Sequence, residues 1–178
     1  MSILLLNPQR KKRYKDIVTN GNFANGIIGW NPTNCTISAS NKTLIVTGNG
    51  TLATVTVTAT STDFRLGQKI YCRYNAMVTN SICTQIEITI GGFLTNMVTN
   101  PIQNQWYTIS TISTVVSDDA TLYVAPKAVY SSASASNGEV MQVQQLMAVD
   151  LTATFCGGIA GTGNEPSQIW CDANLLYV

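Results

Sequence analysis

Between Thr51 and Thr60 apolar and polar positions alternate: Val55, Val57 and Ala59 against Thr56, Thr58 and Thr60. A period of two predicts a β-strand with one wet face. The pattern recurs over Lys69 to Met77, where Ile70, Cys72, Tyr74 and Ala76 share one face and Tyr71, Arg73 and Asn75 the other, and over Gln85 to Ile90, where Ile86, Ile88 and Ile90 point inward. Shorter runs, Thr36 to Ser40 and Thr43 to Thr47, flank Asn41-Lys42. Gly91-Gly92 makes a hairpin into Phe93 to Val98, and Trp106 opens a strand running to about Ser113. Thr121 to Val124 is followed by Pro126, which confines it to an edge or a strand end. Ser131 to Gly138 reads as a loop and Val140 to Leu151 as the last long strand. Turn signals, Asp118-Asp119 among them, recur about every ten residues and predict an antiparallel sandwich or jelly roll.

Asp16 to Trp30 breaks this rhythm with Asn20-Gly21, Gly26 and Gly29. Asn-Gly best tolerates positive φ, so a first strand through Ile17 and Val18 ends there, and two reversals deliver Phe23 and Trp30 to one apolar interior. Near the other end, Gly157 to Gly163 is a glycine loop, and Asn164-Glu165-Pro166 starts a short helix over Ser167 to Asn174 with Ile169 and Ala173 on one face.

Composition narrows the class. A chain of 178 residues suits one domain that buries about 70% of its unfolded surface. Only 11% of residues are charged, against about 25% in ordinary soluble domains, and the polar surface is Thr, Ser and Asn. Extracellular and virion β-proteins have this composition. Arg10, Lys11, Lys12, Arg13 and Lys15 are five of the ten basic residues, leaving five bases against nine acids elsewhere. Residues 1–15 therefore read as a basic arm whose like charges seek an acidic surface on a neighbouring protein, and 16–178 as the domain. The arm's apolar run, Ile3 to Leu6, precedes its basic cluster, the reverse of a secretion signal, and no segment reaches the length of a membrane span. Synthesis in a host cytoplasm is the expectation.

The chemistry that is missing matters as much. Without histidine, Ser-His-Asp and Cys-His catalysis are excluded, and the odd set Cys35, Cys72, Cys83, Cys156 and Cys171 lacks zinc spacing and reads as five buried thiols, the alternative being a disulfide formed after release. Asp118 and Asp119 are the one adjacent carboxylate pair, but strand neighbours point to opposite sides, so they mark a turn and not a glycosidase pair. Gly157 to Gly163 lacks a P-loop lysine. A nucleic-acid interface is not expected, because the basic arm holds only Tyr14 among aromatics and the body is not basic. What remains is aromatic and amide chemistry on a β-surface, suited to sugars. Tyr71, Tyr107, Tyr123 and Tyr130 are candidate platforms, with Arg73 and Asn75 as polar neighbours, while Trp30 and Trp106 are expected to seal the core.

Thr19-Asn20-Gly21-Asn22-Phe23-Ala24-Asn25-Gly26, then Gly29-Trp30, resembles the opening of carbohydrate-binding modules of the family 4/9 kind, which have a galactose-binding-like jelly roll. Gln105-Trp106-Tyr107-Thr108 is similar to their later tryptophan-led strand. Asp150-Leu151-Thr152-Ala153-Thr154-Phe155 with Gly163-Asn164-Glu165-Pro166-Ser167 resembles a signature that closes such modules in bacteriophage minor structural and tail proteins, with Cys156 to Thr162 as an insertion. The resemblance implies an all-β, antiparallel jelly-roll β-sandwich with an extended N-terminal arm and one short C-terminal helix. It further implies a non-enzymatic virion protein, a capsid decoration, head-fibre or tail accessory subunit, present in many copies and anchored to other virion proteins. The alternatives are a tail-borne carbohydrate receptor binder and, third, a glycan hydrolase using Asp118 or Glu139. In related modules a structural calcium is held by acids of the opening turn and an aspartate of the last strand; Asp150 matches the latter, while Asn22 and Ala24 stand where acids are common.

Overall fold

A computed structural model describes residues 14, 16–61, 65–91, 93–116 and 122–175. The arm residues Arg10, Lys11, Lys12, Arg13 and Lys15, and the Asp118-Asp119 turn, lie outside the described residues. In chain order the strands are β1 (Trp30–Thr33), β2 (Cys35–Ser40), β3 (Thr43–Gly48), β4 (Thr54–Ser61), β5 (Lys69–Val78), β6 (Cys83–Ile90), β7 (Phe93–Thr99), β8 (Tyr107–Thr114), β9 (Leu122–Tyr130) and β10 (Val140–Asp150). Three short helices accompany them: α1 (Ala133–Ser136), α2 (Leu151–Phe155) and α3 (Gln168–Asn174). The strands form two antiparallel five-stranded sheets, ordered β1-β4-β9-β6-β7 and β2-β3-β10-β5-β8. The fold is an all-β jelly-roll sandwich.

The alternation read from the sequence builds the core between the sheets. Val55 and Val57 of β4, Ile86 and Ile88 of β6, Leu44 and Val46 of β3, and Ile70, Cys72, Tyr74 and Ala76 of β5 all face it and are buried. Tyr74 lies fully inside, its hydroxyl donating to the Glu87 carbonyl at 2.6 Å. Asn41 and Lys42, at φ 51 and 59, close the two-residue β2–β3 hairpin in the left-handed geometry such turns need.

The opening stretch is built on one amide. Asn20, at φ 59, donates from Nδ2 to the carbonyls of Gly26 and Ile28 and accepts the Asn25 N–H on Oδ1. Trp30 Nε1 donates to the Asn20 carbonyl, and the Phe23 and Trp30 rings meet with centroids 5.2 Å apart, both buried. Ahead of this turn the described residues form no strand: Asp16 makes an isolated bridge to Val149.

Behind the second sheet a smaller apolar cluster of Tyr71, Met147, Val149, Leu151, Cys171 and Leu175 lies under α2 and α3. Asp150 ends β10 and caps α2, its Oδ1 accepting the Ala153 N–H at 2.8 Å; Ser167 caps α3 in the same way. Thr152, fully buried, accepts the Lys69 N–H and donates to Glu165 Oε1, tying α2, β5 and the segment before α3 together.

Several expectations need correcting. Ser131 to Gly138 contains α1, and the last strand stops at Asp150 because Leu151 begins α2. The strand around Pro126 is neither short nor at an edge: β9 runs nine residues between β4 and β6, and the β4 ladder lacks paired positions at Ala125 and Pro126 while the β6 ladder runs through them. Helix α3 buries Cys171 and leaves Ile169 and Ala173 exposed, because its contact surface is the outer face of the second sheet. Cys156 is half-buried, the other four thiols buried. Trp106 does not seal the core; it is 40% exposed.

Candidate functional site

The structure scatters the aromatic residues proposed from sequence. Tyr71 projects from the outer face of β5 but is covered by α3, its hydroxyl donating to Asp172 Oδ1 at 2.8 Å. Burial raises its pKa, and the Asp172 hydrogen bond and charge add to that. Tyr130 belongs to the core between the sheets, and burial raises its pKa as well. Neither ring can serve as a platform. Tyr107 packs against the core and accepts the Ile102 N–H on its hydroxyl at 2.8 Å. Tyr123 is half-buried in β9 on the other sheet, and Arg73 of β5 donates to the Asp172 carbonyl at 3.3 Å. Tyr71 and Arg73 stay together at Asp172 under α3, and Asn75 is left apart from them.

Asn75 belongs to a constructed surface. Among the described residues, the C-terminal helices cover the end of the second sheet's outer face that holds Tyr71, Met147 and Val149 and leave open the other end, where Gln145 and Thr108 are exposed, Asn75 and Gln144 half-buried and Thr43 buried. Across this open end runs a hydrogen-bonded row. Gln144 Nε2 donates to Thr43 Oγ1 at 2.7 Å, Asn75 Nδ2 to Gln145 Oε1 at 2.9 Å, and Thr108 Oγ1 to Asn75 Oδ1 at 2.8 Å. Strand register makes the row possible, since Asn75 lies opposite Thr108 on one side and Gln144 on the other. Side chains already bonded to one another lose less freedom on meeting a ligand.

Trp106 lies two residues before Thr108, the end of that row, and is exposed. An exposed indole and a fixed line of amides and hydroxyls offer a π-face for the C–H groups of a sugar ring and polar groups for its hydroxyls. The expected core position of Trp106 is not the one it takes. Its neighbour supplies the missing signal: Tyr107, the first residue of β8, takes the inward position, and Trp106 lies just before the strand.

The outer face of the first sheet differs. There Thr54, Thr56 and Thr58 present short hydroxyls, and Lys127 Nζ lies 2.7 Å from Glu87 Oε2, a closed ion pair with little left for a ligand.

Asp150, the position that the resemblance matches to a calcium ligand, already has a backbone partner. Its carboxylate caps α2, Asn22 Oδ1 accepts the Ala24 N–H, and the opening turn meets β10 at Leu146, whose N–H donates to the Gly21 carbonyl. Among the described residues no three His, Cys, Asp or Glu side chains gather closely enough for a metal, and calcium wants several oxygen ligands.

Comparison with known proteins bears on the fold. Neither family models nor curated protein sequences give a match to the chain. Solved structures do. A carbohydrate-binding module of the CBM4 type superposes with a TM-score of 0.53 at 13% identity, over 71% of this chain and 97% of that one. A variant of the family 29 module CBM29-2 gives 0.51 at 12% identity, over 77% and 84%. The fold is a jelly roll that these two modules share. The arabinose-bound α-L-arabinofuranosidase MgGH51 gives 0.59 at 11% identity, and the enzymatically active domain of tailspike protein 4 of bacteriophage CBA120 gives 0.54 at 14%. This chain, 76% and 75% of which is covered, spans only 26% and 21% of those two chains.

Proposed function

We propose that the chain is a non-enzymatic glycan-binding module of a bacteriophage virion, held to the particle by its basic arm and presenting the open face around Trp106 outward. The observation that carries the glycan reading is Trp106 exposed two residues before Thr108, the end of the bonded row Gln145-Asn75-Thr108. The jelly roll shared with two carbohydrate-binding modules supports it. The virion reading draws on the arm's five bases, on the low charge of the body and on the phage-like closing signature. The tailspike likeness favours a second reading, a tail-borne receptor binder with no capsid role.

Three experiments test these parts separately. A glycan array probed with the purified chain should show binding that Trp106→Ala abolishes; silence across bacterial-wall and polysaccharide ligands would leave a purely structural role. Deletion of residues 1–15 should prevent incorporation into particles, and unchanged incorporation would remove the anchoring role from Arg10, Lys11, Lys12, Arg13 and Lys15. Release of reducing sugar by the purified chain would contradict the non-enzymatic reading.

A further inference from the structure

One side chain of the open face is held there by a backbone that its residue type disfavours. Gln145 adopts φ +52, in the left-handed region that side chains other than Asn and Asp seldom enter. The conformation marks a bulge: pairing of β10 with β5 breaks between Gln144 and Met147. It is enforced from behind. Leu146 is fully buried, and its N–H donates to the Gly21 carbonyl at 3.0 Å. The approach depends on Gly21 being glycine, since a Cβ there would overlap the Leu146 carbonyl oxygen. The Asn20 turn therefore braces the bulge, and the bulge turns Gln145 onto the open face.

Glycine would accept this φ without strain. Glutamine stands there instead, exposed, with its amide bonded to Asn75 and adding nothing to the core. Strain kept at an exposed residue on a candidate binding face points to use of its side chain. The row also has polarity. With Oε1 occupied by Asn75, the Gln145 amide nitrogen brings two N–H donors to one end, and the Thr108 oxygen brings acceptor capacity to the other. β10 and β8 are separated by β5, so the two ends lie two strand spacings apart, about 10 Å. That is the span of a short oligosaccharide and more than one ring. Thr43, Gln144, Gln145, Asn75, Thr108 and Trp106 are all uncharged.

We propose that Gln145 sets the selectivity of this face, donating from its amide nitrogen to a hydroxyl of a neutral oligosaccharide that extends toward Trp106. The inference rests on the reading of the face as a glycan site. Gln145→Gly, Gln145→Asn and Trp106→Ala are compared with the wild type on an array carrying neutral hexose and pentose oligosaccharides beside uronic-acid- and sialic-acid-bearing ones, with thermal unfolding measured in parallel.

Gln145→Gly should melt at or above the wild-type temperature yet bind the best neutral oligosaccharide at least about tenfold more weakly and discriminate less among the others. Gln145→Asn, which tolerates the backbone and keeps a shorter amide, should fall between. If Gln145→Gly binds with unchanged affinity and ranking while Trp106→Ala does not bind, the role of Gln145 falls and the site stands. If no variant differs from the wild type, or the wild type binds no glycan, the site itself falls and this inference with it. A preference for acidic glycans overturns the neutral ligand, and a clearly lower melting temperature for Gln145→Gly makes the glutamine structural.

Discussion

Asp16 accepts two backbone N–H groups on a single oxygen, Oδ1, from Val18 and Ala148, each at 3.0 Å. Burial nevertheless raises its pKa from 3.8 to about 6, the two hydrogen bonds offsetting only part of the desolvation. Between those values the folded chain holds a proton that the unfolded chain has lost. Stability should therefore fall as pH rises from about 4 to 6, by roughly 3 kcal/mol in all, and stay level above. Asp16→Asn keeps an oxygen for both N–H groups and removes the buried charge. Urea unfolding should find it more stable than wild type at pH 7, by about 2 to 3 kcal/mol, with the slope between pH 4 and 6 gone. Lower stability at pH 7 would mean that the carboxylate itself is required. Gly21→Ala tests the brace behind the bulge and should cost about 2 kcal/mol or more in the same assay. At this scale the sequence was legible where chemistry is local: Asn20-Gly21 announces a left-handed turn, and Phe23 and Trp30 its apolar ends. Asp16 and Gln145 were not, because their environments are made by residues far along the chain.

Elements were legible where a period repeats often enough. β4, β5 and β6 follow from their alternation. α1 and α2, with four and five residues, hold too little of a helical period to be seen. Alternation did place Tyr71, Arg73 and Asn75 together on the outer face of β5, but it carries no information about what covers that face. The helices claim Tyr71 and leave Asn75 open, and the same partial cover leaves Trp106 exposed. The two parts of the closing signature also meet: Thr152 and Glu165 bond to each other, with Lys69 Nζ 3.4 Å from the Glu165 carboxylate. The backbone N–H of Glu165, then Thr152 and Lys69, hold its carboxyl below the ordinary glutamate range. Thr152→Val keeps the shape and strands the Lys69 N–H and the Glu165 oxygen. It should destabilise the chain by about 1 to 3 kcal/mol, and hydrogen exchange should show faster opening in α2 and α3 than in β4 and β9. Uniform acceleration would mean that the helices are not a separate cooperative unit.

For the whole molecule, the jelly roll supplies two outer faces and the C-terminal helices choose between the ends of one. What stays open joins an indole to a prearranged line of uncharged amides and hydroxyls, and the opening turn holds that line in place through Leu146. The three tryptophans provide a direct reading of this arrangement. Trp30 is buried at the opening turn, Trp170 packs edge-on against Phe155 over α2, and Trp106 borders the candidate site. Their indole N–H signals can be followed by nuclear magnetic resonance while the chain is titrated with the neutral oligosaccharide bound best on the array. The Trp106 signal should shift and saturate with ligand while those of Trp30 and Trp170 stay in place. A shift confined to Trp170, or binding that leaves all three signals unmoved, would contradict it.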